Sequence, residues 1–353
     1  MSVIKESNSI IPEAQSLKPE AQHYRVGVIG GGAWGTALAI LANRAGSEVT
    51  LGTRNTNVIQ SILERRSNEA YLPSIFIDPD IKVTDKLGEA CQNHLVILAV
   101  PSHILRSVCI TISDMLAPDV PIVLASKGIE RGSLMLMSEV AQSILPRNPI
   151  AIISGPNFAD EAARGLPTAT TIACADHALW DMLIYALGGY LFRPYLTADI
   201  IGTQIGGAVK NVIAIACGIA IGKNFGENAR AALVTRGFAE IVRLTIAKGG
   251  KYETLMGLSG LGDLILTCGS AKSRNMSFGI AIGQGRSKEE ILTGRGRSAT
   301  EGIVAAESIS KLAKKFSLSM PICDAVYRIL HEHAPMDAVI AELLERPFVC
   351  EGK

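Results

Sequence analysis

Aromatic residues make up only 5% of this 353-residue chain, charged residues 19%, and the formal net charge is +1. Without an excess of positive charge or a long basic run, nucleic-acid binding has no electrostatic support. The seven cysteines are scattered and form no C-x-x-C pair, so spacing indicates neither a disulfide framework nor a zinc site. They read as reduced thiols, which suits a cytoplasmic protein. The six histidines contain no H-E-x-x-H pattern. His331-Glu-His333 lacks the spacing of two ligands on one helix face, so that pair is expected at the surface and no metal is expected. Residues Met1 to Gln22 hold Ser, Glu, Pro and Lys around no apolar core, unlike a secretory signal. Residues 1–23 are therefore expected to form a flexible extension, or an arm that docks on the body. The most apolar run, Asn211 to Gly222 between Lys210 and Lys223, is shorter than the roughly 20 helical residues that span a bilayer. It is expected as a buried core helix, with no membrane span.

What is present describes a compact α/β or α-rich protein. The chain is 48% hydrophobic, not a disordered composition, and its length suggests about two domains. The most informative stretch is Tyr24-Arg-Val-Gly-Val-Ile-Gly30-Gly-Gly32-Ala-Trp-Gly35-Thr-Ala-Leu. It reads as a buried strand, a glycine turn and a helix start, with Gly30, Gly32 and Gly35 satisfying G-x-G-x-x-G. The first glycine makes the turn, the second admits a pyrophosphate, and the third lets helix pack on strand. The helix N-terminus then offers N–H groups and a positive dipole end to phosphate. A bound dinucleotide is expected. The helix should run from about Ala33 to Arg44 and stop at Gly46.

The next strand, Glu48 to Thr53, ends at Arg54, where an NAD-specific site usually carries Asp or Glu. A guanidinium there attracts a 2′-phosphate, so NADPH/NADP is expected over NADH/NAD. The alternative is a solvated surface arginine.

Further apolar runs, His94 to Val100, Pro121 to Ser126 and Ile150 to Ser154, suit a parallel sheet covered on both faces. Ala169 to Cys174 extends the same domain. After about Asp199 helical spacing takes over, at Lys210–Ile221, Ala229–Lys248 and Thr300–Phe316. The expected architecture is an N-terminal doubly wound Rossmann-type sheet over 24–199 and a mostly α-helical domain over 200–353, with the cleft between them. No internal repeat is evident.

Ligands of such sheets sit beyond the carboxyl ends of the strands. Lys127 follows one strand end, and Gly155-Pro-Asn157-Phe-Ala159 follows another. By itself, Lys127 fits either a phosphate or carbonyl contact or a solvated helix start, and Pro156 reads as a turn former. Lys210 lies inside an apolar segment. An unpaired buried ammonium is costly, so this lysine reaches solvent or faces a polar cleft. In a cleft its pKa can fall into the range useful for proton transfer. Gly257-Leu-Ser-Gly-Leu-Gly262-Asp263 suggests a carboxylate on a tight loop. Ser273-Arg274-Asn275 before a helix suits an anion. Singly, Asp263 also fits a cap and Arg274 a surface ion pair.

Taken together these segments resemble the soluble bacterial NAD(P)-dependent sn-glycerol-3-phosphate dehydrogenases. The matching residues are Gly30 to Leu38, Ser126-Lys-Gly, Gly155-Pro-Asn-Phe-Ala, Gly207 to Ile215, Asn228 to Gly237, Gly260 to Cys268, Ser273-Arg-Asn and Glu301-Gly. They cover about residues 24–330. The resemblance implies reversible hydride transfer between NAD(P)H and C2 of dihydroxyacetone phosphate. It implies Lys210 as acid/base, supported by Asp263 and Thr267, with Lys127 holding the substrate. Gly155 and Asn157 lie near the substrate, and Ser273, Arg274 and Asn275 take its phosphate. Gly30, Gly32, Ala33, Trp34, Gly35, Arg54, Lys127, Ala159, Arg274, Ala299 and Glu301 fall to the cofactor. Asn157 stands where relatives often carry Ser or Thr, and the tail after about Pro335 lies outside the resemblance. The family further implies a homodimer and a role in glycerophospholipid synthesis. Two other readings fit the glycine turn: another Rossmann dehydrogenase of the 3-hydroxyacid type, and a non-catalytic NADPH-binding sensor.

Overall fold

The structure, a computed structural model, describes residues 23–294 and 301–347. The expected N-terminal extension and Ala299 lie outside these described residues, except for His23.

Eight strands form one sheet: β1 (Arg25–Ile29), β2 (Glu48–Gly52), β3 (Lys82–Thr84), β4 (Leu95–Leu98), β5 (Ile122–Leu124), β6 (Ile150–Ser154), β7 (Thr168–Cys174) and β8 (Phe192–Thr197). Their order is β3-β2-β1-β4-β5-β6-β7-β8. Strands β1 to β6 run parallel, so the first six have the doubly wound order whose direction reverses between β1 and β4. That reversal opens a crevice beyond the strand ends, and the glycine turn lies there. Successive side chains of a strand face opposite sides. In β4, Leu95 and Ile97 join one buried apolar cluster and Val96 and Leu98 join another. Both faces are apolar because helices cover both.

Three features of the sheet depart from the sequence reading, the first being β3, whose three residues were not recognised as a strand. β7 pairs antiparallel with β6, so the sheet is not parallel throughout. β8, which pairs with β7, was not foreseen. It is an edge strand carrying Pro194, and a proline is tolerated only where no neighbouring strand needs its N–H.

The helical half is organised around Ile200–Gly222. Asp199 caps it by accepting from Gly202 N at 2.9 Å, and its other oxygen accepts from Lys251 N at 2.8 Å. By length and composition this 23-residue helix could cross a membrane, but 83% of its most apolar window is buried within the protein. The sequence reading recognised only its second half, so its length was underestimated while its place in the core was right. Arg274–Gly283 packs against it almost backbone to backbone. A Cβ on Gly218 would lie 2.2 Å from Met276 O, and one on Gly279 2.2 Å from Ile215 O. This close approach brings the start of the second helix next to Lys210. The tail after Pro335 forms the helix Met336–Leu344. Its Glu342 pairs with Arg328 of Pro321–His331 at 2.5 Å, so this part of the tail packs on its own chain. His331 is half-buried, not a surface residue: its ring bonds Ile303 O at 2.8 Å and stacks on Tyr327.

Candidate active site

The glycine turn is built from steric necessity. Gly30 has φ +127°, a conformation other residues rarely adopt. A Cβ on Gly35 would lie 1.9 Å from Gly30 O, so only glycine lets the helix Ala33–Arg44 start this close to β1. Gly32, by contrast, has nothing within 4 Å of a would-be Cβ. It opens onto free space at the helix N-cap, and no side chain caps that helix. An uncapped, open N-terminus beyond the switch point fits the pyrophosphate of a dinucleotide. Ala33 and Trp34 form the first turn of that helix, and Trp34 also lines the adjoining cavity.

A side chain that sequence reasoning missed holds this turn. Asn68 is fully buried and donates from one amide nitrogen to Gly31 O at 2.9 Å and Thr36 Oγ1 at 2.8 Å. It lies outside any strand or helix of the nucleotide fold, so no periodicity marks it. Gly30 N donates to Gly52 O at 2.9 Å, tying the turn to the end of β2. Arg54 follows two residues later and is exposed. Asn55 then caps the helix Thr56–Arg65 and turns the chain away. Arg54 therefore stands at the rim of the crevice, outside the cavity described next.

That cavity, of about 190 Å³, is lined by both halves of the chain. From the sheet half come Trp34, Lys127, Ser154, Gly155 and Asn157; from the helical half come Lys210, Asn211, Asp263, Thr267, Lys272 to Asn275 and Glu301. All nine residues expected at the substrate are brought together here. Gly30, Gly32, Ala33, Gly35 and Arg54 cluster at the crevice, and Ala159 opens the short helix Ala159–Ala163 behind Asn157. Asn157 is fixed by donating to Ala169 O at 2.8 Å.

Asp263 is the centre of the cavity's electrostatics. Its side chain is 1% exposed and bridges two lysines. Lys127 Nζ lies 2.6 Å from Oδ2, and Lys210 donates to Oδ1. Lys210 also donates to Thr267 Oγ1 at 2.8 Å, while Thr267 donates to Asp263 O at 2.6 Å. An ammonium has three N–H donors. Two of those on Lys210 are thus committed to protein, and the third is available to a ligand oxygen. Burial pulls the pKa of Lys210 down to about 8; Asp263 opposes this and Lys127 adds to it. Lys210 thus faces a polar cleft, the second of the alternatives its sequence context left open.

Asp263 does not sit on a loop as its glycine neighbours suggested. Leu258–Gly262 is a turn of π-helix, and Asp263 begins the helix Asp263–Gly269. The glycines there serve contact: a Cβ on Gly260 would meet Leu255 O at 2.1 Å, and one on Gly206 would meet Ser259 O at 2.7 Å. Helical placement puts Asp263 and Thr267 one turn apart on one face, both towards Lys210.

Ser273 caps Arg274–Gly283, its hydroxyl accepting from Met276 N. Arg274 and Asn275 occupy the first turn, where N–H groups and the dipole favour an anion. Asn275 donates to Asn211 Oδ1 at 2.9 Å and accepts from Gly302 N at 3.0 Å. Asn211 in turn reaches Glu301 at 3.4 Å. This amide relay joins three helices and fixes Glu301 in the cavity wall. Neither Asn211 nor Lys272 was singled out from sequence. Asn211 adjoins Lys210, a signal that could have found it. Lys272 pairs across the cleft with Glu161 at 2.8 Å, a contact no local pattern shows. Among the described residues, no group of three His, Cys, Asp or Glu side chains is placed to share a metal ion.

A switch-point dinucleotide crevice beside two lysines bridged by a buried carboxylate defines the class: a Rossmann-type nicotinamide-dependent dehydrogenase with a helical second domain. The comparison with known proteins narrows this. The chain belongs to the NAD-dependent glycerol-3-phosphate dehydrogenase family, whose N-terminus model matches residues 25–180 and whose C-terminus model matches residues 199–341. It is 47% identical over 327 residues to a glycerol-3-phosphate dehydrogenase [NAD(P)+] of Parvibaculum lavamentivorans, covering 93% of this chain and 98% of that protein. It is 48% identical over 328 residues to that of Caulobacter vibrioides, covering 93% and 99%. The crystal structure of the Coxiella burnetii glycerol-3-phosphate dehydrogenase superposes with a TM-score of 0.88 at 38% identity, covering 92% of this chain and 99% of that one.

Proposed function

We propose that this chain catalyses the reversible NAD(P)H-dependent reduction of dihydroxyacetone phosphate to sn-glycerol 3-phosphate. The observation that carries the reading is the Lys127–Asp263–Lys210 bridge, set in one cavity with the Ser273–Asn275 helix start. The nicotinamide, when bound, supplies the hydride. The protein supplies the rest. As the ketone oxygen gains negative charge, the free N–H of Lys210 stabilises it and then delivers the proton. Asp263 and Thr267 fix the Lys210 ammonium, and Lys127 orients the substrate beside it. Arg274 and the N–H groups at the start of its helix hold the remote phosphate, aided by Asn275 and the hydroxyl of Ser273. Binding energy gained there orients C2 for reaction. Gly155 and Asn157 shape the sheet-side wall. Glu301 and Ala159 lie to the cofactor side, and the turn Gly30 to Gly35 receives the pyrophosphate.

The test is nicotinamide oxidation followed by absorbance with dihydroxyacetone phosphate, and again with unphosphorylated dihydroxyacetone. Fast turnover only with the phosphorylated ketone supports the reading. Turnover of a 3-hydroxyacid or 2-oxoacid substrate instead would replace it with the rival dehydrogenase reading. Tight NADPH binding without turnover on any of these would favour a sensor.

The depressed pKa of Lys210 sets a pH dependence with a definite sign. Reduction needs the ammonium and oxidation needs the free amine. With the pKa at about 8, ketone reduction falls as pH rises through that value, and alcohol oxidation rises over the same interval. Initial rates in both directions between pH 6 and about 10 check this. Parallel profiles in the two directions would remove Lys210 from the proton transfer.

Arg54 at the rim of the crevice is proposed to meet the 2′-phosphate of NADPH. Replacing it by alanine should lower the ratio of kcat/KM for NADPH over NADH by about 10-fold or more, the scale of a lost charge-assisted hydrogen bond. An unchanged ratio would return Arg54 to the solvated surface. The domain division at residues 199/200, a homodimer, a cytoplasmic location and a supply of glycerophospholipid precursors complete the proposal, on the likeness to relatives. Sedimentation of the purified protein tests the dimer.

A further inference from the structure

Ser154 ends β6, lines the active-site cavity and is 4% exposed, yet its hydroxyl has no hydrogen-bond partner among the described residues. Its counterpart at the neighbouring strand end behaves differently: Ser126, two residues beyond β5, donates to Val100 O. A hydroxyl is both donor and acceptor, and burying it unpaired costs free energy that an alanine would avoid. Such a group in a native protein calls for an explanation.

Its surroundings supply one. A Cβ built on Gly207 would lie 2.8 Å from Ser154 Oγ, 3.5 Å from Lys127 Cδ and 3.7 Å from Lys127 Cε. Gly207 precedes Lys210 by three residues on the same helix, so both lie on one face. The Ser154 hydroxyl and the stem of Lys127 therefore both abut the helix face that carries Lys210. The phosphate-binding helix start, Ser273 to Asn275, belongs to a different element. Gly207 has no side chain, and that is what leaves room for the hydroxyl and the lysine stem together.

We propose that Ser154 is a further substrate-contacting residue, whose hydroxyl completes its hydrogen bonding on the oxygens at the reacting end of the bound ketone. This rests on the reading of the cavity as the dihydroxyacetone phosphate site. The contact is made only with substrate present, so the hydroxyl adds nothing to the stability of the free protein.

The experiment compares wild type with Ser154→Ala, measuring melting temperature, NADPH dissociation constant, and kcat/KM for dihydroxyacetone phosphate. The expected result is a kcat/KM lower by about 10-fold to 100-fold, from the loss of a hydrogen bond to a group gaining charge. NADPH binding stays within about two-fold, and the melting temperature is equal or higher because no protein bond is lost. Ser154→Cys, which is slightly larger and donates only weakly, should lose activity in the same direction. A kcat/KM of Ser154→Ala within about two-fold of wild type would overturn the inference while the wild-type turnover leaves the proposed reaction standing. A marked fall in melting temperature would also overturn it, since the hydroxyl would then serve the free protein. If wild type itself fails to reduce the ketone, the reading of the reaction falls and this inference with it.

Discussion

Lys210→Ala should lower kcat for ketone reduction by about 1,000-fold or more while changing the NADPH dissociation constant by no more than about two-fold. General acid catalysis contributes about 100-fold to 10,000-fold, and a lost donor at a developing oxyanion costs about 100-fold to 1,000-fold. One ammonium is proposed to do both jobs here. Two of its three donors are held by Asp263 and Thr267, so its position is fixed before substrate arrives and little reorganisation opposes reaction. Cofactor binding should be spared because the proposed cofactor contacts, the glycine turn and Arg54, lie on the sheet half, whereas Lys210 sits in the helix Ile200–Gly222. Steady-state kinetics together with a fluorescence titration of NADPH make the measurement. A kcat within about ten-fold of wild type would sink the assigned role, and a lost affinity for NADPH would show the variant to be damaged more widely.

Asp263→Asn should lower reduction by about 100-fold at neutral pH and move the fall of the pH profile below its wild-type position. The sign follows from the charges. Burial and the neighbouring Lys127 depress the pKa of Lys210, and Asp263, with a smaller contribution from Glu301, opposes them, leaving it at about 8. A carboxamide removes the opposing charge but keeps the shape, so the pKa drops further and less ammonium remains at neutral pH. The deficit should therefore be greater at pH 8 than at pH 6. Loss of activity with an unshifted profile would show that Asp263 serves geometry alone. Asp263→Ala would go further and leave the buried ammonium of Lys210 and the partly buried one of Lys127 without their shared carboxylate, at a cost of about 3–5 kcal/mol in stability. Urea denaturation of the two variants separates the electrostatic effect from the structural one.

The proposed chemistry and the fold were legible to different depths, for physical reasons. The β1 strand, the glycine turn and the helix Ala33–Arg44 were read to the residue or nearly so, because each part is dictated locally. Apolar continuity marks a strand covered on both faces, Gly30 needs its positive φ, and Gly46, at φ +81°, stops the helix. β8 escaped because Pro194 breaks the strand pattern and is acceptable only at an edge, a position the sequence does not display. The antiparallel turn of β7 escaped for a similar reason, since strand direction is set by connections and pairing and not by composition.

The helical half shows the limit more sharply. Gly257-Leu-Ser-Gly-Leu-Gly262 has the composition of a loop, yet it forms a π-helical turn leading into Asp263–Gly269. What decides this is contact: Gly260 against Leu255 and Gly206 against Ser259 approach too closely for any side chain. Lys210 could be flagged because a lone charge in an apolar segment is conspicuous. Asn211 carries no such penalty; only its place beside Lys210 marks it, and its role depends on its partners Asn275 and Glu301.

By itself the sequence determined the dinucleotide fold, the family, and the residue types available for acid/base work and phosphate binding. The fold and the conspicuous Lys210 follow from local rules of periodicity, turn sterics and the cost of burying charge, whereas the family and the site residues follow from the resemblance of whole motifs. Tertiary packing alone makes one carboxylate bridge Lys127 and Lys210, which lie 136 and 53 positions from it in the chain. It alone decided that Asn68 pins the glycine turn and that Ser154 is left unpaired in the cavity beside Gly207. The strength of a charge pair or a hydrogen bond depends on distance and on exclusion of water, and neither is fixed until remote segments pack together.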